Sequence, residues 1–227
     1  MARSQMTKVE PQWVRMLKGL LPGLREVLGK DSEVVLHDLT HPEDSVVAIE
    51  GDLTHRKVGA PATDLLLHLL REGAAATDVV NYETRSAEGI ILRSSTLLLR
   101  DEGNLPVASL CINIDTKVRD ISDERIREAA KADVLRRGGG SVREVFSQNV
   151  EETLRNLVEE ALQAVGASRY GVNKEQRLEI VRLLDERGAF MVRGAADYVA
   201  KQLKMSRASL YNYRKTLEGK GSSPREQ

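Results

Sequence analysis

The side chains best suited to chemistry lie close to the C-terminus, in the stretch VAKQLKMSRASLYNYRKTL from Val199 to Leu217. A guanidinium such as Arg207 can bind a guanine edge through two parallel bonds, and a carboxamide such as Asn212 can do the same for adenine. Ser206, Tyr211, Arg214 and Lys215 are the hydroxyls and cations that hold backbone phosphates, and Ser209 suits either role. On a 3.6-residue wheel Leu210, Tyr213 and Leu217 share one face, while Ala208, Tyr211, Asn212 and Lys215 share the other, with Arg207 on the flank. Ser206 is a good N-cap for this helix. With Ala200, Leu203 and Met205 the pattern predicts two short helices joined by a tight turn at Lys204–Met205. The second helix is then placed to enter a major groove of double-stranded DNA. An amphipathic hairpin in a helical core would explain the buried face but not the exposed Arg, Tyr, Asn and Lys. One such helix reads few base pairs, so two copies on a pseudo-palindromic site, hence a homodimer, are expected.

A second polar set lies in the N-terminal half. His37 and Asp38, Ser94-Ser95-Thr96, Cys111, Asn113 and Asp115 fall on or beside β-type runs. A nucleophile reading would join Cys111 or Ser95 to His37, but no nucleophile-elbow spacing supports it, and Cys111 reads as a small buried hydrophobe. His37 and His41 have no further Cys or His at ligand spacing, so no metal is expected. Gly138-Gly139-Gly140 is not followed by GKS or GKT and reads as a flexible joint rather than a phosphate loop. No cofactor is called for. What remains is a pocket for a small polar molecule, with His37, Tyr82, Ser95, Cys111 and Asn113 as candidate contacts and Ser94 as an alternative. Strand neighbours face opposite ways, so Ser94 and Ser95 cannot both line one pocket. For each of these residues an ordinary core or surface polar group is the competing reading.

The elements that must position these groups follow from periodicity. After a fraying start over residues 1–10, Trp13, Met16, Leu17, Leu20, Leu21, Leu24, Val27 and Leu28 recur at helical spacing, with a break near Leu21 imposed by Pro22. Glu33–Leu39 and Ser45–Glu50 predict a hairpin, and a helix follows to about Arg71 with Pro61 in its first turn. Asp78–Thr84, Ile90–Arg100 and Leu105–Asp115 predict three more strands. The fold class is therefore α+β, a five-stranded antiparallel sheet with helices. A helix from Ser122 through Ile126, Ala129, Ala130 and Val134 ends at the triple glycine. Val142, Val145, Phe146, Val150, Leu154, Leu157, Ala161 and Val165 then form an amphipathic stripe that packs on a domain or pairs with its own copy. Asn173 or Lys174 opens an all-α C-terminal unit whose first helix ends at Gly188, and a tail begins at Gly219.

Composition fits this plan. Of 227 residues 41% are hydrophobic and 30% charged, and one cysteine leaves no internal disulfide, as a reducing cytoplasm would favour. No apolar run is long enough to span a membrane. The net charge of zero hides an asymmetry, +5 from Lys174 to Gln227 and −5 before it, which places the basic end where phosphate attraction would need it.

The segments GLLPGLREVLGKDSEVVLHDL, KVGAPATDLLL and ILRSSTLLLRDEGNLPVASLCINID resemble the YheO-like PAS domain family. KEQRLEIVRLLDERGAFMVRGAADYVAKQLKMSRASLYNYRKTL is similar to the helix-turn-helix that accompanies it in bacterial regulators, among them regulators of D-arginine use. The resemblance implies a PAS-like sensor over residues 11–137, a joint and amphipathic linker or dimerisation helix over 138–170, and a helix-turn-helix over 171–219. It implies a cytoplasmic transcription factor that responds to a small-molecule effector, such as an amino acid or derivative, and is not an enzyme. A protein-interaction adaptor, or an enzyme with its site in the sheet domain, are the readings it competes with. Lys204 stands where related turns usually carry Gly.

Overall fold

The computed structural model describes residues 11–116, 144–167 and 171–220. The expected fraying start, the helix from Ser122, the triple-glycine joint, Val142 and the tail beyond Lys220 lie outside the described residues. Two short helices come first, α1 (Gln12–Lys18) and α2 (Leu21–Leu28), with Pro22 in the first turn of the second. The break falls there because proline lacks an amide hydrogen, and the first turn of a helix has no use for one.

Five strands follow: β1 (Ser32–Asp38), β2 (Val46–Glu50), β3 (Val79–Arg85), β4 (Ile91–Arg100) and β5 (Pro106–Asp115), with helix α3 (Asp64–Glu72) between β2 and β3. They form one sheet in the order β2-β1-β5-β4-β3, every neighbouring pair antiparallel. One face carries Val34, Leu36, Leu110 and Ile112 and is covered by Val14 and Leu21 of α1 and α2. The other face, called inner below, carries Val35, Cys111 and Tyr82 and lies under α3. The helix begins at Asp64, later than expected, because Thr63 is its N-cap: the Thr63 hydroxyl accepts from the Leu66 amide at 3.3 Å.

The C-terminal half is four helices, α4 (Val150–Ala164), α5 (Lys174–Glu186), α6 (Ala195–Gln202) and α7 (Arg207–Lys220). Asn149 caps α4, and Asn173 with Gln176 forms a reciprocal capping box at the start of α5. The stripe on α4 is consumed inside the chain: Leu154, Leu157, Val158, Ala161 and Leu162 are buried, and α4 packs on α5 and α6. Of the two fates the stripe allowed, packing on its own domain is the one observed. Helix α7 continues through Gly219, where the tail was expected to begin.

Sheet and helices share one apolar core. Val35, Leu66, Leu69 and Val79 belong to the same buried cluster as Leu157, Ile180, Leu184, Val199 and Leu210. The seam is the contact of α3 with the short turn Ala189–Met191 after α5. Gly188 makes that approach possible. It sits at φ +71°, and a Cβ there would lie 2.1 Å from the Leu67 carbonyl oxygen.

Candidate functional site

Helix α7 is anchored by Leu210, which is 0% exposed, with Tyr213 and Leu217 half-buried beside it. Its start is fixed by Ser206, whose hydroxyl accepts from the Ser209 amide at 3.0 Å and shares a hydrogen bond with the Ser209 hydroxyl at 2.9 Å. The turn before it is a Schellman motif: the Met205 amide donates to the Ala200 carbonyl and the Lys204 amide to that of Lys201. Such a motif needs a left-handed residue, and Lys204 takes that role at φ +50°. The departure from glycine noted in the sequence is thus a lysine in a conformation that glycine adopts more easily.

Arg207, Ala208, Ser209, Tyr211, Asn212 and Lys215 are exposed, Tyr211 to 48%. The Arg207 guanidinium is oriented across the start of α7 by Asp197 of α6, 3.0 Å away, and by a hydrogen bond with Tyr211. Arg214 departs from the expected arrangement. Its guanidinium turns inward, 3.0 Å from the Asp185 carboxylate and 4.6 Å over the Phe190 ring, so its charge holds α7 to α5 instead of facing solvent with Lys215. Asp185 also receives Arg71 of α3 at 2.8 Å, and the Arg71 Nε donates to its carbonyl at 3.1 Å. One carboxylate therefore ties the helix above the sheet to the exposed helix. Lys201, at the end of α6 beside this surface, is exposed and was not singled out in the sequence; Lys204, in the turn, is exposed as well.

On the inner face of the sheet the structure gathers His37, Tyr82, Cys111 and Asn113, all buried. Ser95 does not join them. It points to the opposite face and its hydroxyl accepts from the amide of Asn81, the left-handed residue of a β3 irregularity, at 3.0 Å. Ser94 takes the inward place, donating to Asn113 at 2.8 Å and sharing a hydrogen bond with Thr84 at 2.6 Å. Strand alternation allowed one of the two serines, and the inward one is Ser94.

Three charged residues absent from the sequence-based set complete this layer. Glu33, beside Asn113 in register, accepts from the Thr54 amide and hydroxyl and from Asn113, at 3.0, 2.8 and 3.0 Å. Glu144 accepts from the Tyr82 hydroxyl at 2.7 Å and the Thr63 hydroxyl at 2.8 Å. Arg56, from the loop after β2, donates through Nη2 to the Pro61 carbonyl, and its Nε is buried with no acceptor. Period-2 alternation through Glu33, Val35 and His37 is a signal that could have found Glu33. Arg56 and Glu144 lie in loops, where a charged residue ordinarily reads as solvated.

Burial dominates the electrostatics. It lowers His37, helped by the charge of Arg56, so the imidazole is neutral and shares a hydrogen bond with Ser45 at 2.8 Å. It pushes the Cys111 thiol up to about 12, with the negative charge of Glu144 adding to the effect. The thiol stays protonated between Thr96 and Ser109, each 3.6 Å away, and is not paired with His37. Burial, then Glu144, raises Tyr82, which remains a donor, and burial raises Glu144 itself.

A family model described as a YheO-like PAS domain matches residues 7–130, and one described as an HTH domain matches residues 153–214. An uncharacterized protein of Haemophilus influenzae is 29% identical over 202 residues, covering 88% of this chain and 89% of its own. The uncharacterized protein YheO of Escherichia coli K12 is 30% identical over 88% of this chain and 82% of its own. A transcriptional regulator of Pseudomonas aeruginosa, DauR, is 27% identical over 90% and 94% respectively. Among the described residues no helix is long and apolar enough to cross a membrane.

Proposed function

We propose, from the premise that the chain belongs to the YheO-like PAS domain family and carries a helix-turn-helix, that it is a cytoplasmic, homodimeric transcriptional regulator in which a small metabolite bound in the sheet domain controls DNA binding, in keeping with the regulator DauR. The observation that carries this reading is the face of α7: Arg207, Tyr211, Asn212 and Lys215 exposed above a fully buried Leu210. Arg207 and Asn212 are the readers of base edges, and Ser209 supports either kind of contact. Ser206, Tyr211 and Lys215 hold phosphates, while Arg214 braces the helix. Two protomers present two such helices about one helical turn of DNA apart.

Control requires that the metabolite favour one packing of the sheet domain over another, since a ligand of equal affinity for both shifts nothing. The Arg71–Asp185–Arg214 bridge and the seam at Gly188 give such a preference a direct route to α7. The metabolite class we favour is an amino acid or a derivative.

The test is binding to duplex DNA as a function of salt. Lys215→Ala should weaken binding to all sequences alike and reduce the slope of log K against log salt by about 1. Arg207→Ala and Asn212→Ala should relax discrimination at single base pairs, by about 1–3 kcal/mol each. Full retention of binding and of salt slope in Lys215→Ala, with unchanged sequence preference in the other two, would reject the reading.

A further inference from the structure

Arg207 is the first residue of α7, the end at which a recognition helix meets base edges. A cation is poorly placed there, because the unpaired amides of the first turn give that end of the helix a partial positive charge. Asp197 offsets it. This residue lies in the first turn of α6, and its Oδ1 stands 3.0 Å from the Arg207 Nε. Both side chains are more than half exposed, and an ion pair so exposed adds little to stability. A carboxylate beside a surface that receives phosphates also repels them. Asp197 therefore weakens binding to DNA in general, and what it supplies in return is geometry.

A guanidinium carries its five hydrogens in a planar fork, and it can meet a guanine through Nε and one Nη or through both Nη groups. With Nε committed to Asp197 the first mode is closed, and a parallel pair of Nη hydrogens is left for guanine O6 and N7. Tyr211, one turn further along α7, holds the same guanidinium by a hydrogen bond and keeps its own hydroxyl hydrogen for a phosphate. An unheld arginine on this long stem would reach any nearby phosphate, a contact that carries no sequence information.

Resting on the DNA-reading role of α7 given above, we infer that Asp197 is a specificity-determining positioning residue: without touching DNA itself, it holds the Arg207 fork end-on to one guanine and keeps that arginine off the phosphates of every other sequence. Discrimination reached in this way weakens binding at large, so removing the carboxylate should raise general affinity while lowering specificity. A carboxylate that merely answered the helix dipole of α6 would alter neither.

The experiment uses the full chain with two probes, a duplex that the parent selects from a pool of randomised sequences and a scrambled version of it, each titrated over a range of salt. Asp197→Asn should bind the scrambled duplex about three- to tenfold more tightly, with a salt slope steeper by about 1 as Arg207 takes up a phosphate. Its preference for the selected duplex should fall about tenfold, and the loss should map to one G·C pair. Asp197→Glu, which keeps the charge, should return the salt slope to that of the parent. In an Arg207→Ala background Asp197→Asn should leave the preference at that base pair unchanged, since the reader it positions is gone. Circular dichroism checks that each variant folds. Unaltered slope and preference in Asp197→Asn overturn the inference, as does an effect on that base pair that persists in the Arg207→Ala background. Failure of the DNA reading itself has another signature: the parent selects no duplex, and both fall together. If the parent selects one, and Lys215→Ala lowers the slope while Arg207→Ala leaves every preference intact, α7 reads DNA without the Asp197–Arg207 pair.

Discussion

Lys204 shows what a single backbone conformation is worth. The Schellman turn before α7 needs a left-handed residue, and a lysine there costs more than a glycine would. Lys204→Gly should therefore stabilise the fold by about 0.5–1 kcal/mol, with Lys204→Asn in between, seen as a higher urea midpoint at constant m-value. Asp64, in the first turn of α3, gives a pH signature. Burial raises its carboxyl to about 7 despite the hydrogen bond from the Val145 amide. The unfolded chain loses this proton near pH 4 and the folded chain only near 7, so stability falls as pH rises through that window. Asp64→Asn should remove the slope and be the more stable protein at pH 8, by about 1–3 kcal/mol. A steeper loss in the variant would reverse the assignment. At this scale the sequence was partly legible: His37, Tyr82, Cys111 and Asn113 share the inner face because the strand period puts them there. Ser95 and Arg214 were misplaced because which of two adjacent serines points inward, and whether a helix-flank arginine finds a carboxylate, are decided by neighbours distant in the chain.

At the level of elements, Asp185 is the meeting point of three helices. Arg71 of α3 and Arg214 of α7 both bind it from its place near the end of α5. Arg71 and Arg214 share no direct bond, so the stability effects of Arg71→Ala and Arg214→Ala should be non-additive by about 0.5–1 kcal/mol through the shared carboxylate. Strict additivity in chemical denaturation would show that Asp185 serves each arginine separately. Among the described residues the elements were readable in order and type, because apolar period changes from 3.6 to 2 and back again where the strands begin and end. Their ends were less so. Thr63 moved the start of α3 away from Pro61, and Asn149 started α4 well inside a stripe whose earlier members, Val145 and Phe146, are not helical.

Across the whole molecule, the seam at Gly188 is the decisive feature. Gly188→Ala would bring a methyl group against the Leu67 carbonyl and put alanine in a left-handed conformation. We expect a loss of more than about 2 kcal/mol, seen in denaturation as one transition at a lower midpoint, because the sheet half and the helical half share a single core. A single unshifted transition would mean that the backbone yields more readily than its close contact suggests. No period or motif in the sequence announced this contact, since it joins α3 to a turn more than a hundred residues later.

Because Leu66 and Leu69 lie in the same oil as Ile180, Val199 and Leu210, the nucleic-acid reader is not a bead on a string. Severing the chain between β5 and α4 would leave each fragment with a raw greasy scar, so neither half should behave well when expressed alone, and grafting this reader onto a foreign sensor would require transplanting the matching surface of α3 with it.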